Sequence, residues 1–230
     1  MQRAVIFDMD GVLVDSYQAH YRSWQMLAQR HGLDLTEQQF AATFGRTSRE
    51  NIRGFWPQVP EADIPAWDDQ KEAFYRQILE QDFPAMDGVN ELLEDLHRAR
   101  FKLAVGSSGP PPNVAVVVRC LRAGRLFDAT VNGSDVHLGK PDPAVFLTAA
   151  RRLGVQPRCC AVVEDAPVGV EAARRADMAS IALTGTASPE ELAGADLVVD
   201  SLRALWAQRI ARLIDARQQG AREKHAKDNR

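Results

Sequence analysis

The chain has 230 residues, 45% of them hydrophobic and 26% charged, a balance that suits a globular protein built as one large domain or a domain with a modest insertion. Its formal net charge of −3 excludes the basic footprint that nucleic acid or an anionic membrane surface would require. No stretch approaches the roughly 20 apolar residues of a membrane helix, and the first apolar run is too short for a signal peptide. Three cysteines, Cys120 and the adjacent Cys159 and Cys160, fit free thiols in the cytoplasm better than a disulfide framework.

Ala4-Val5-Ile6-Phe7 is a continuous apolar run and reads as a strand buried on both faces. It ends in Asp8-Met9-Asp10-Gly11. The interval from Ser16 to Pro84 has a different texture: helical patterns over Tyr17–Arg30, Glu37–Phe44 and Trp67–Glu80, no comparable strand, and three of the four tryptophans (Trp24, Trp56 and Trp67). This predicts a helical insertion hinged near Gly11–Asp15 and Asp82–Gly88. Beyond it, apolar runs at Lys102–Gly106, Cys160–Val163, Ala179–Leu183 and Leu197–Val199 alternate with helical patterns at Gly88–Arg98, Pro143–Leu153 and Pro167–Arg175. Such alternation predicts an α/β fold, a parallel sheet with helices on both faces. The expected organisation is a core of residues 1–15 and 85–216, an inserted cap of residues 16–84, and a charged tail over 217–230 that frays into solvent.

In an open α/β sheet the reactive groups collect at the carboxyl ends of the strands, where Asp8 and Asp10 fall. Two carboxylates one residue apart beside a buried strand need a cation or a shared proton. Mg²⁺ suits them because it prefers oxygen ligands and leaves positions for phosphate and water. Asp8 can serve as a nucleophile towards phosphorus, and Asp10 as the acid and base for the leaving and entering oxygens. A strand-ending acidic turn that only caps a helix or binds a cation is the alternative. Three further features bear on the choice. Gly106-Ser107-Ser108-Gly109 is a small polar loop that can hold a phosphate oxygen, or a serine turn that caps a helix. Lys140, in Gly139-Lys140-Pro141-Asp142, can neutralise both Asp8 and a phosphoryl group, or be a solvated lysine. Glu164-Asp165 again closes an apolar strand, as metal ligands or with Asp165 as a helix N-cap before Pro167. Their joint occurrence, each after a strand or before a helix, favours the catalytic reading.

On Asp8-Met9-Asp10-Gly11, Ser107, Lys140 and Glu164-Asp165 the sequence resembles the haloacid dehalogenase superfamily of phosphatases and phosphomutases, over its length to about Trp206. The resemblance implies a Rossmann-like core with a helical cap inserted after the first motif. It also implies Mg²⁺ held by the Asp8 carboxylate, the Asp10 backbone carbonyl and Asp165, with Glu164 close by. The dehalogenases of the superfamily lack the second aspartate, so Asp10 points to phosphotransfer.

Within the superfamily the likeness is greatest to the β-phosphoglucomutase-like group. That likeness implies substrate-facing positions at His20, Trp24, Thr47, Arg49 and Lys71, and Gly11 and Ser108 join the substrate-binding set beside the core motifs. Physically, Arg49 could clamp a distal phosphate, His20 could hydrogen-bond Asp10, and Lys71 could contribute charge. His20 and Trp24, four residues apart, could equally pack together, and Arg49 and Lys71 could be solvated. The mutase carries a serine-lysine-asparagine run after its serine motif, gripping the phosphate that is not transferred. Here the aligned residues are Gly109-Pro110-Pro111, and Pro110 and Pro111 lack even the backbone N–H. The expectation is therefore a Mg²⁺-dependent phosphohydrolase acting through an aspartyl-phosphate on a small phosphorylated metabolite such as a sugar phosphate, with no nucleic acid or membrane partner, as a monomer or weak homodimer. A phosphomutase is the alternative, and a non-catalytic phosphometabolite-binding protein a third reading.

Overall fold

A computed structural model describes residues 1–43 and 46–228. Along the chain run β1 (Ala4–Phe7), α1 (Tyr17–Arg30), α2 (Glu37–Ala41), α3 (Ser48–Phe55), α4 (Ile64–Gln81), α5 (Val89–Arg98), β2 (Lys102–Gly106), α6 (Pro111–Cys120), β3 (Ala129–Val131), α7 (Ala144–Leu153), β4 (Cys160–Glu164), α8 (Pro167–Arg175), β5 (Ala179–Leu183), β6 (Leu197–Val199) and α9 (Ala207–Asp228). They divide into two compact units, Met1–Val14 with Ala85–Arg230, and Asp15–Pro84.

In the first unit the six strands form one sheet in the order β3-β2-β1-β4-β5-β6, and every neighbouring pair is parallel. Strand β1 is central, with Val5 opposite Leu103 on one side and Ala161 on the other. All four of its residues are fully buried, which is why the strand reads as an unbroken apolar run. Val145, Phe146 and Ala149 of α7 and Ala172 and Ala173 of α8 pack with Ile6 and Val162 in one core cluster. The chain builds outward from β1 to β2 and β3, then returns to place β4 on the other side. The carboxyl ends of β1 and β4 therefore flank the topological switch point, where open α/β sheets bind their ligands.

Among the described residues of the second unit, every regular element is a helix. An aromatic and aliphatic core of Trp24, Leu27, Phe40, Ile52, Trp56 and Ile64 holds it together, with Trp24 and Trp56 ring centroids 6.0 Å apart. Thr36 and Thr47 begin α2 and α3 with complete capping boxes, each satisfying two otherwise unpaired backbone donors. Helix α2 is shorter than its sequence pattern, ending at Ala41, and Phe44, the predicted end, lies outside the described residues. The insertion leaves and re-enters at one place. Asp15 N–H donates to Pro84 C=O at 2.8 Å, Met86 N–H donates to Leu13 C=O at 3.1 Å, and Val14 and Ala85 form an antiparallel bridge.

Helix α9 is assigned through Asp228, and Asn229 and Arg230 lie outside the described residues. Its first half is fixed to the core by Ile210 and Ile214, both fully buried. Arg3 pairs with Asp215 at 2.8 Å, Arg217 with Asp196 at 3.0 Å, and Gln218 donates to the Arg158 carbonyl at 2.9 Å. The alanines, glutamines, arginines and lysines that follow have high helix propensity and extend a helix already nucleated.

Candidate active site

The loop after β1 is tied down before any chemistry is considered. Asp8 N–H donates to Val163 C=O at 2.9 Å, and Leu13 N–H donates to Met9 C=O at 2.8 Å. Met9, Val12, Leu13 and Val14 are fully buried, so the acidic turn is held from beneath by apolar side chains. Gly11 turns the chain with φ of +74°, and a Cβ there would lie 2.0 Å from Asp165 Oδ2. Glycine is thus required twice at this position, for the left-handed backbone and for the close approach of the second acid.

Lys140 Nζ donates to Asp8 Oδ1 and to Glu164 Oε1, both at 2.5 Å, and lies 5.1 Å from the centre of the buried Phe146 ring. Glu164 is 2% exposed. Its other oxygen accepts the N–H groups of Asp165 and Ala166, both at 2.9 Å, which fixes the carboxylate at the start of α8. Ligand oxygens of Asp8, Glu164 and Asp165 lie within 4.8 Å of one another. Three buried carboxylates against one ammonium leave the cluster short of positive charge. Burial pushes the Asp8 carboxyl up to about 7, against the pull of Lys140. Burial, reinforced by Glu164 and Asp8, pushes Asp165 up to about 8. For Lys140, burial alone would lower the pKa, but Asp8 and Glu164 outweigh it and hold the ammonium above the ordinary lysine value. A small divalent cation with a preference for oxygen fits this donor set.

Ser107 is buried at the end of β2. Its Oγ accepts Gly109 N–H at 3.0 Å, which leaves the hydroxyl proton to donate elsewhere. Ser108 is exposed on the same loop. Asp10 is half-buried, bridges to Val14 across the turn, and adds to the field that raises Asp8. Its carboxylate is not one of the three clustered acids.

The remaining sequence-predicted residues belong to the helical unit. His20 stacks on Tyr75 at 4.0 Å with the rings 2° from parallel, and its Nδ1 lies 2.8 Å from Lys71 Nζ. Trp24 packs among Phe55 and Trp56, with Lys71 Nζ 5.5 Å over its ring. Thr47 is the N-cap of α3 and Arg49 lies in its first turn. The Thr47 hydroxyl is taken up by the N-cap and Glu50, and Arg49 is exposed and bonded to Asp68 at 2.9 Å. Lys71 is enclosed rather than solvated, with Glu72 at 2.9 Å.

Two positions that the sequence reading passed over shape the acidic cluster. Thr186, in the loop after β5, hydrogen-bonds Asp165 and draws its pKa down against burial; its signal was its place after the next strand in the sheet. Gly169 lies in the first turn of α8, where a Cβ would meet the Glu164 carboxylate at 1.9 Å. That carboxylate is held by two amides and Lys140 and has no room to retreat. Gly169→Ala is therefore expected to cost about 1–3 kcal/mol of stability through overpacking and to lower Mg²⁺ affinity or activity about 10–100-fold. Urea unfolding and a Mg²⁺ titration of activity check both.

Comparison with known proteins agrees with this geometry. The sequence model of the haloacid dehalogenase-like hydrolases matches residues 2–177. The chain is 32% identical over 202 residues to validoxylamine A 7'-phosphate phosphatase of Streptomyces hygroscopicus subsp. limoneus, covering 88% of this chain and 95% of that one. It is 35% identical over 202 residues to hexitol phosphatase A of Escherichia coli, covering 87% and 91%. Among solved structures, β-phosphoglucomutase from Clostridium difficile superposes with a TM-score of 0.79 at 26% identity, covering 94% of this chain and 98% of that one. With its acidic loop, lysine and paired acids arranged around one switch point, the chain belongs to the haloacid dehalogenase-like hydrolase family.

Proposed function

We propose that the protein is a Mg²⁺-dependent phosphohydrolase that cleaves a small phosphomonoester, a sugar or polyol phosphate, through an aspartyl-phosphate on Asp8. The observation that carries this reading is the buried cluster of Asp8, Lys140, Glu164 and Asp165 at the carboxyl ends of β1 and β4. Asp8 attacks phosphorus in line and the ester P–O bond breaks. Asp10 gives its proton to the leaving alkoxide, then takes one from the water that attacks the aspartyl-phosphate, which restores Asp8 and releases phosphate. Lys140 and the Ser107 hydroxyl stabilise the charge on the phosphoryl oxygens. Asp8, Glu164, Asp165 and the Asp10 backbone carbonyl would hold Mg²⁺, which supplies neutralising charge to the carboxylates and the phosphate.

Hydrolysis is favoured over mutation of the sugar by the donor-poor start of α6 and by the likeness to two proteins named as phosphatases. The free cysteines support a reducing compartment such as the cytoplasm. The test is incubation with Mg²⁺ and a panel of phosphate esters, including β-glucose 1-phosphate with a trace of the 1,6-bisphosphate. Inorganic phosphate is the expected product. Glucose 6-phosphate instead identifies a mutase, and neither product across the panel overturns the reading.

The raised carboxyls predict a metal-linked pH dependence. Between about pH 4 and 8 the metal-free native state binds more protons than the unfolded chain, because Asp8 and Asp165 titrate near 7 and 8 rather than near 4. Stability of the metal-free protein therefore falls as pH rises through this window. Mg²⁺ at about 100 times its Kd is expected to restore about 3 kcal/mol, or roughly 5–10 °C in Tm, at pH 8, and much less at pH 5. Thermal melts with Mg²⁺ or EDTA at the two pH values check this.

A further inference from the structure

The polar loop after β2 is fastened to the strand beside it and to the turn that follows that strand. Ser107 N–H donates to Val131 C=O at 3.0 Å, and Gly133 N–H donates to Gly109 C=O at 2.8 Å. Between these two staples, a Cβ on Gly133 would overlap the Ser108 carbonyl oxygen. Gly133 does not have a positive φ, so glycine is required there by the close approach of the two chains and not by the backbone dihedral. Gly109 also lies against the acidic turn: a Cβ on it would sit 3.2 Å from Met9 Cε and 3.2 Å from Ser107 Oγ. The Ser107 loop therefore meets both the loop that carries Asp8 and the turn after β3.

That turn, Asn132–Asp135, needs support of its own. Strand β3 has three residues and lies at one edge of the sheet, with its ladder bonds running to β2. Within the turn Asn132 N–H donates to Asp135 Oδ2 at 3.0 Å, and Ser134 N–H donates to Asn132 Oδ1 at 2.9 Å. Arg152, near the end of α7, reaches across to it. Its guanidinium donates to Asp135 Oδ1 at 2.5 Å, to Asp135 Oδ2 at 3.0 Å and to the Thr130 carbonyl. An isolated surface ion pair contributes little, but a two-pronged guanidinium–carboxylate pair fixes geometry as well as charge. Here it ties β3 and the turn to α7, which is anchored in the core by Val145, Phe146 and Ala149.

We infer that the Asn132–Asp135 turn, braced by Arg152, sets the position of the Ser107 hydroxyl, and that Gly133, Asp135 and Arg152 are positioning residues for phosphate binding that act through Ser107. This deepens the phosphohydrolase reading and rests on it. A hydrogen bond to a phosphoryl oxygen weakens steeply when its donor is displaced by about 1 Å, and a turn stapled to the Ser107 loop carries that loop with it when it moves. The clustered acids follow β1 and β4 and are held by their own bonds, so Mg²⁺ binding is independent of the brace.

The test titrates inorganic phosphate into the Mg²⁺-loaded protein by calorimetry and reads KM on the best ester of the panel above. Arg152→Met and Gly133→Ala are each expected to weaken phosphate binding about 5–10-fold and to raise KM with it, while the Kd for Mg²⁺ alone stays within about twofold of the wild type. In a Ser107→Ala background the same changes are expected to have less than about a twofold further effect, because the group they position is gone. Arg152→Met alters a half-exposed pair and carries the test alone should Gly133→Ala fail to fold. Equal losses with and without Ser107 would place the action elsewhere, as at Lys140 farther along the same segment, and overturn the inference. Phosphate affinity unchanged in the folded variants, or a parallel loss of Mg²⁺ affinity, overturns it too, and each leaves the phosphohydrolase reading intact. No phosphate released from any ester by the wild type overturns that reading, and the inference with it.

Discussion

Asp8→Asn is expected to lower kcat by on the order of 10⁴-fold or more while leaving the fold in place. The amide cannot attack phosphorus, and no neighbouring group replaces it: Glu164 is fixed by two amides and Lys140. The cost to stability is small for a reason visible in the site. Below about pH 7 burial keeps much of the Asp8 population protonated in the metal-free protein, and an asparagine of the same shape resembles that neutral form. A change in unfolding free energy within about 1 kcal/mol at pH 6 is expected. Single-turnover assays and urea unfolding measure the two quantities. Residual turnover within about tenfold of the wild type would remove Asp8 from its assigned role.

Lys140→Met reverses that separation of activity from stability. The ammonium is the shared partner of Asp8 and Glu164, so its loss leaves buried carboxylates facing one another without a cation. Breaking such a pair costs about 3–5 kcal/mol, and loss of its charge from the phosphoryl site lowers kcat about 10²–10³-fold. The destabilisation is expected to be greatest at pH 8 without metal and to shrink towards pH 5, where the acids take up protons. Mg²⁺ should recover part of the stability but not the rate. Thermal melts across pH, with and without Mg²⁺, separate these effects; a variant as stable as the wild type at pH 8 in EDTA would show that the cluster is neutralised by another route.

The sheet was legible because its central strands are buried on both faces and so read as apolar runs without alternation. Strand β3 escaped notice because it has three residues, two of them only half-buried. Helix α6 escaped because it opens on three prolines, which read as a breaker although the first turn of a helix tolerates them. The acids were legible for a different reason: each follows a strand whose end is easily located. What pairs with what was much less so. Lys71 and Glu72 are adjacent, a spacing that places side chains on different faces of an ideal helix, yet the Lys71 ammonium, 5.5 and 5.3 Å from the Trp24 and Tyr75 ring centres, meets Glu72 at 2.9 Å. The need for Gly169 likewise depends on where the Glu164 side chain returns to α8, which spacing alone does not reveal.

The manner in which the helical unit is inserted has a consequence for how such proteins diversify. Asp15 and Pro84 are hydrogen-bonded neighbours, and Val14 and Ala85 bridge directly. To the sheet, the seventy intervening residues are equivalent to one closed turn. Loop-closure entropy grows only logarithmically with length, so a longer, shorter or unrelated insert could occupy the same socket without altering strand order or the acid cluster. The acid cluster and the insert are thereby separable parts: mutation can rewrite the helical unit while the strand that leads to Asp8 is held by its own packing.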